Sequence, residues 1–200
     1  MDVIERVRGL VTGPEALFET LRESDRLEQE TLIFVCIAAL IPFFASLFGQ
    51  SIVGYGIGQW GRFRLPFGYA LLSGILRYFL TVGMVFAGGC IIMYIAPKFD
   101  ATADYGKALL CASYGYLPFF LGGIFLFIPA ASILTFITAL GGIYILYLSL
   151  PIVTGNPEER TAVYTLTGSL ALALLLIIVM MIVARINYVF MVTSMDKLFL

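Results

Sequence analysis

The sequence predicts an all-α membrane protein: five transmembrane helices preceded by one or two amphipathic interfacial helices. Three observations carry that prediction. The 200 residues are 60% hydrophobic and 12% charged, against roughly a quarter charged in a soluble globular domain, and the mean hydropathy is +0.99. The charges are segregated. Of thirteen acids, eight (Asp2, Glu5, Glu15, Glu19, Glu23, Asp25, Glu28, Glu30) lie in the first thirty residues, and Asp100, Asp104, Glu158, Glu159 and Asp196 lie between apolar runs or at the end. Five apolar runs approach the ~20 residues that a helix needs to cross a ~30 Å hydrocarbon core, and none shows the strict alternation of a membrane barrel strand.

The first element is a cytoplasmic or interfacial segment, residues 1–30. Val3, Ile4, Val7, Leu10 and Val11 share one helical face, opposite Glu5, Arg6 and Arg8. Thr12-Gly13-Pro14-Glu15 reads as a stop and a new start, because proline suits the first helical turn. Leu17, Phe18 and Leu21 then give a second short apolar stripe. Helices of this kind beside a first span are expected to lie on the cytoplasmic leaflet; the alternative is a docking arm for a partner. No cleavable signal peptide is expected, since this segment is acidic and lacks an apolar core.

The membrane domain is expected over 31–185, with spans at about 32–48, 67–96, 108–128, 130–153 and 162–184, and residues 186–200 form a C-terminal tail. Lys and Arg set the orientation. With the N-terminus inside, seven basic residues (Arg6, Arg8, Arg22, Arg26, Lys98, Lys107, Arg160) are cytoplasmic and four (Arg62, Arg64, Arg185, Lys197) are outside. The second run is long and carries Arg77. An arginine at a helix centre costs about 2.5–3.5 kcal/mol on insertion scales. Tyr78 to Pro97 alone would therefore span the core, leaving Arg77 to snorkel at the outer interface and 65–76 near the outer surface. The other arrangement, a long tilted span with Arg77 inside the bundle, makes Arg77 the candidate special charge.

Chemistry is sparse. The chain has no histidine, and no Asp or Glu lies within any of the five runs, so a triad hydrolase is excluded and a proton-coupled transporter disfavoured. Cys36, Cys90 and Cys111 fall at similar depth in different spans, but structural zinc sites take four close ligands; free buried thiols are expected, with no metal and no cofactor. The string Gly54-Tyr55-Gly56-Ile57-Gly58 lacks the strand and helix of a phosphate-binding fingerprint, and Trp60 reads as a residue of the lipid–water boundary. A net charge of −1, with no dense basic cluster, points to no nucleic-acid partner.

From Ala96 to Tyr164 an ordered set of residues stands out: Ala96-Pro97-Lys98-Phe99, Tyr105, Ala108 through Ala112, Tyr114, Pro118, Ile128-Pro129, Gly141-Gly142, Tyr144, Tyr147, Pro151 and Pro157-Glu158-Glu159. This order resembles the bacterial branch of the Yip (Ypt/Rab-interacting protein) domain family, small inner-membrane proteins. Ser149 departs from it, where relatives tend to carry glycine. The resemblance implies five spans with a cytoplasmic N-terminus and supplies no catalytic residues. Eukaryotic relatives are implicated in vesicle traffic, and some bind Rab-type GTPases; that partner is not carried over, because this chain lacks the long eukaryotic N-terminal segment.

Physically, Cys111, Tyr114, Gly115, Pro118 and Gly122 share a face of span three, and Gly141, Tyr144, Tyr147 and Leu148 one of span four. Small residues let helices approach closely in lipid, so Tyr114, Pro118, Gly122, Gly141, Tyr144 and Tyr147 form the candidate packing or interaction seam. The function expected is a non-catalytic membrane organiser or interaction scaffold, not an enzyme. Its partners would be the lipid bilayer and other membrane proteins or itself. The alternative is a small transporter, channel or lipid-translocating protein, which a midplane cavity lined by Ser113, Thr135 or Thr138 would favour. A duplicated hairpin is a further expectation: Ile41-Pro42-Phe43-Phe44 parallels Leu117-Pro118-Phe119-Phe120, and Gly88-Gly89 parallels Gly141-Gly142.

Overall fold

The computed structural model describes residues 3–24, 27–56 and 62–199, with the side chains of Val3, Ile4, Val11 and 195–199 left aside. Five helical segments are long and apolar enough to cross a membrane: Leu27–Val53, Phe67–Phe99, Tyr105–Phe127, Pro129–Thr154 and Glu158–Ser194. The protein is thus an all-α, five-span membrane protein. Large apolar side chains point outward along the spans, Leu170 being 71% exposed, as lipid rather than water requires.

Two short helices, α1 (Val3–Thr12) and α2 (Pro14–Arg22), precede the spans. Span one is α3 (Leu27–Ala38), then α4 (Leu40–Phe48), then a π turn over Gly49–Val53. Its break has a covalent cause: Pro42 has no N–H to offer the carbonyl of Ala38, and the next bond, Phe43 N–H to the Ala39 carbonyl, is stretched to 3.4 Å. Span two is α5 (Phe67–Ile95), continued by a 3-10 turn over Ala96–Phe99. Asp104 then caps α6 (Tyr105–Gly122), accepting from the Lys107 backbone N–H at 2.8 Å; a 3-10 segment, Gly123–Phe127, completes span three. Span four is broken into a 3-10 turn (Pro129–Ala131), α7 (Ile133–Ala139) and α8 (Gly141–Thr154). Span five is α9 (Glu158–Phe199), 42 residues and hence about 63 Å long. The only strands among the described residues are a ribbon pairing β1 (Tyr55–Gly56) with β2 (Arg62–Phe63) between spans one and two.

The spans define two ends. The N-face carries α1, α2, the 100–104 turn and the start of α9; the far face carries the ribbon, the start of α5 and the C-terminal part of α9. At the centre is α6. Every side chain from Ala108 to Leu117 is buried, and α3, α5, α7 and α8 pack around it. Two buried tyrosines tie the layers together: Tyr116 Oη donates to the Leu172 carbonyl at 2.9 Å and Tyr164 Oη to that of Ile92 at 3.4 Å. Such bonds matter because lipid offers no alternative partner.

Three expectations are revised. Helix α5 is unbroken from Phe67, so Arg77 lies on a continuous helix and not at the start of a shorter span. Helix α9 runs through 185 without a stop; nothing after Gly168 is Gly or Pro, and Ser73 of α5 donates to Asn187 while Tyr69 packs on Phe190 at 5.6 Å. The duplication fails. Gly88 and Gly89 of span two pack on Ala112 and Leu109 of α6, and Gly141 and Gly142 of span four pack on Pro118 and Gly115 of the same helix. A repeat would have turned the first pair toward span one.

Candidate functional site

The N-face is closed by an aromatic and ionic cluster. Helix α2 lays Leu17, Phe18 and Leu21 against protein, all buried, and packs on α8. Phe18 meets Tyr114 edge-on, ring centroids 5.3 Å apart, while Phe34 of α3 stacks on Tyr114 at 5.0 Å. Helix α1 contributes Arg6, which is 1% exposed, is ion-paired with Glu30 and lies over the Phe34 ring at 5.7 Å. Arg22 adds a bond to the Ile152 carbonyl at the end of α8, 2.9 Å. Helix C-termini attract such cations. Leu17, Phe18 and Leu21, expected to face lipid, are therefore covered by the bundle, and Arg6, expected on the outer face, points inward; the side chains of Val3, Ile4 and Val11 lie outside the described residues. The reason is Glu30, which with Tyr114 and Phe34 gives the guanidinium a partner and an aromatic surface.

The far-face half holds a different site. A cavity of about 230 Å³ opens between α4, α5, α7 and α9, with Ser46, Gln50, Tyr55, Arg77, Thr135 and Asn187 among its polar wall. Arg77 is 8% exposed and sits on the bundle-facing stripe of α5 that includes Ala70, Ser73, Gly74, Thr81, Gly88 and Ile92. Eighteen residues separate it from Ile95, about 27 Å of helix, so it lies near the far boundary but inside the protein. It does not snorkel. Its Nε and the Oε1 of Gln50 are buried without a hydrogen-bond partner. Burial raises the Tyr55 phenol above its ordinary value, with the nearby Arg77 charge opposing the shift.

The remaining sequence candidates divide. Tyr114, Pro118 and Gly122 lie in the internal seam, where a Cβ on Gly122 would overlap Thr138 and one on Gly142 would overlap the Gly115 carbonyl oxygen. Gly141 only touches Pro118, at 3.5 Å from an added Cβ. Tyr144 and Tyr147 are 65% and 49% exposed, outside that seam. The buried face of α8 is instead Gly142, Ile145, Leu146, Ser149, Leu150 and Val153, one residue out of phase with the face expected. Cys36 is half-buried, Cys90 exposed and Cys111 buried, and among the described residues no three His, Cys, Asp or Glu side chains group to hold a metal. Residues 57–61, with Ile57 and Gly58 of the glycine string and Trp60, lie outside the described residues.

Sequence reasoning missed Arg6, Gln50 and Asn187. For Arg77 a signal existed: it keeps helical register with Gly74, Thr81 and Gly88, small residues that mark a packed face. Gln50 and Asn187 are polar breaks in apolar runs, which in lipid point inward by default.

Fold and sites together define a polytopic helical membrane protein with a closed core and a polar pocket in one half. The chain belongs to the Yip1 domain family: the family model, described as Yip1 domain, matches residues 8–181. No curated protein and no solved structure matches the chain.

Proposed function

We propose that this chain is a non-catalytic membrane organiser, an interaction scaffold of a bacterial inner (plasma) membrane with its N-terminus cytoplasmic and its C-terminus outside. Its partners would be the bilayer, other membrane proteins and further copies of itself. One observation carries the reading: the middle of the bundle is filled. Ala108 to Leu117 are all buried, and Ser113, a candidate lining residue for a transport path, is turned back on the Leu110 carbonyl at 2.7 Å. A solute entering the far-face cavity meets this packed helix. Residues 1–30 would then act as the cytoplasmic cover of the scaffold, and the exposed Tyr144 and Tyr147 as contacts for another helix. The test is purification in mild detergent with crosslinkers placed at Tyr144 and Tyr147. Specific crosslinks to a membrane protein or a second copy are expected; an uncrosslinked monomer that instead moves solute across proteoliposomes would overturn the reading.

A second reading, a small transporter or lipid-translocating protein, is favoured by the presence of Thr135 on the wall of the 230 Å³ cavity. Its signature would be flux that a bulky substitution at Thr135 stops.

A further inference from the structure

We propose that the far-face cavity around Arg77 binds the phosphate group of an anionic lipid, whose acyl chain runs down an adjoining groove. This goes beyond the scaffold reading and does not depend on it.

The cavity holds a buried cation, Arg77, with no counterion among the described residues. Every described acidic side chain, Glu5 through Glu159, lies on the N-face side of the chain path, and no carboxylate is among the described residues lining the cavity. A lone guanidinium in a low-dielectric wall calls for an anion, and Arg presents a planar fork that matches phosphate oxygens. Other donors converge. Asn187 accepts from Ser73 through Oδ1, which leaves its amide N–H groups free. Gln50 is buried with an unsatisfied amide oxygen, and its oxygen and nitrogen can exchange places by a flip to suit the ligand. By contrast Ser46 and Thr135 already donate, to the Phe43 and Gly122 carbonyls.

Size and surroundings assign the phosphate to a lipid. The cavity volume, about 230 Å³, falls below the roughly 300–1,000 Å³ of sites for drug-sized molecules, enough for one headgroup. Phe119 and Phe136 of its wall are shared with a groove of about 310 Å³ between α6, α8 and α9, floored by Gly115 and Gly142 and walled by Leu170 and Ala173. Along α9 the groove covers Leu166 to Ile177, starting about 10 Å below Val183 beside the cavity at 1.5 Å per residue. That is within reach of a long acyl chain. A polar pocket of one charge sign continued by an apolar trough suits a phospholipid. On the far face, Arg62 of the ribbon, Arg64 just after it and Arg185 of α9 are exposed and raise the local concentration of anionic headgroups.

The full chain in neutral detergent is the sample, with native mass spectrometry and thermal melting as readouts. Three probes separate the sources: phosphatidylglycerol, a diacylglycerol with the same chains but no phosphate, and inorganic phosphate. Phosphatidylglycerol is expected to bind at least tenfold tighter than either of the others. Arg77→Gln, which removes a buried unpaired charge and so favours folding, should abolish that preference. Ala173→Phe, which fills the groove and leaves the donors alone, should weaken phosphatidylglycerol at least tenfold. Equal binding of phosphatidylglycerol and diacylglycerol, or a preference that survives Arg77→Gln, overturns the proposal. Inorganic phosphate that raises the melting temperature as much as phosphatidylglycerol, with Ala173→Phe indifferent, overturns the lipid assignment in favour of a free anion.

Discussion

The ion pair that anchors α1 should respond asymmetrically to the loss of its two partners. Arg6 is 1% exposed and Glu30 33% exposed. In Glu30→Gln the guanidinium stays buried with a neutral partner. Breaking a buried pair costs ~3–5 kcal/mol; the glutamine still accepts a hydrogen bond and the Phe34 ring remains under the cation, which lowers the loss to about 2–3 kcal/mol. In Arg6→Met the apolar stem is kept and Glu30, already a third in water, rehydrates, so the loss is about 1 kcal/mol. The gap of about 1–2 kcal/mol is roughly five- to thirtyfold in the docking equilibrium of α1, taking ~1.4 kcal/mol per decade. Hydrogen exchange over residues 5–12 in lipid nanodiscs reads it directly: Glu30→Gln should accelerate exchange at least about fivefold over Arg6→Met, and the double variant should return close to Arg6→Met. If Arg6→Met opens the helix as much as Glu30→Gln, or the two losses simply add, Arg6 is not a buried charge held by Glu30.

Three other outcomes are expected. Gly142→Ala should lower the melting temperature in detergent, at a cost near the upper end of the ~1–3 kcal/mol of overpacking, because the Gly115 carbonyl cannot rotate away. Gly141→Ala should cost nothing, and the reverse order would remove Gly142 from the seam. Phe18→Ala should lose about 3–5 kcal/mol locally, exposing residues 12–24 to protease while the spans persist; protection equal to wild type would show that α2 does not depend on Tyr114. In intact cells of a cysteine-free background, cysteines at Gln59 and Ser194 should react with an impermeant reagent and those at Ser24 and Ala103 should not, the opposite pattern reversing the proposed orientation.

Much of the architecture was legible. Apolar run length located all five spans, and Thr12-Gly13-Pro14 located the α1–α2 junction because proline's missing N–H costs nothing in a first turn. The span read for helix α9 stopped before Arg185, a charge assigned to the outer flank, whereas the helix continues and its Asn187 and Phe190 are held by Ser73 and Tyr69 of α5. The site was legible only in part. Arg77 stood out as the one charge inside an apolar run, but Tyr144 and Tyr147 lie outside the internal seam, exposed on α8, and Arg6 was taken for a solvated charge although Glu30 and Phe34 of α3 and Tyr114 of α6 stand against it.

What the sequence by itself determined is the solvent of this protein, the number of crossings and the family. These follow from residue-by-residue transfer free energies and from ordered motifs, both additive along the chain. The rotation of each helix was decided only in the tertiary structure. In water, hydrophobic periodicity marks the buried face; in lipid both faces of α8 are apolar, so Gly142 rather than Gly141 enters the seam because its backbone can approach Gly115. The same holds for the two inward arginines. Whether a guanidinium is solvated or buried depends on what stands opposite it. Glu30 and Phe34 meet Arg6, and a cavity without a described carboxylate meets Arg77, pairings between elements that are 24 or more residues apart for Arg6 and that only the assembled bundle creates.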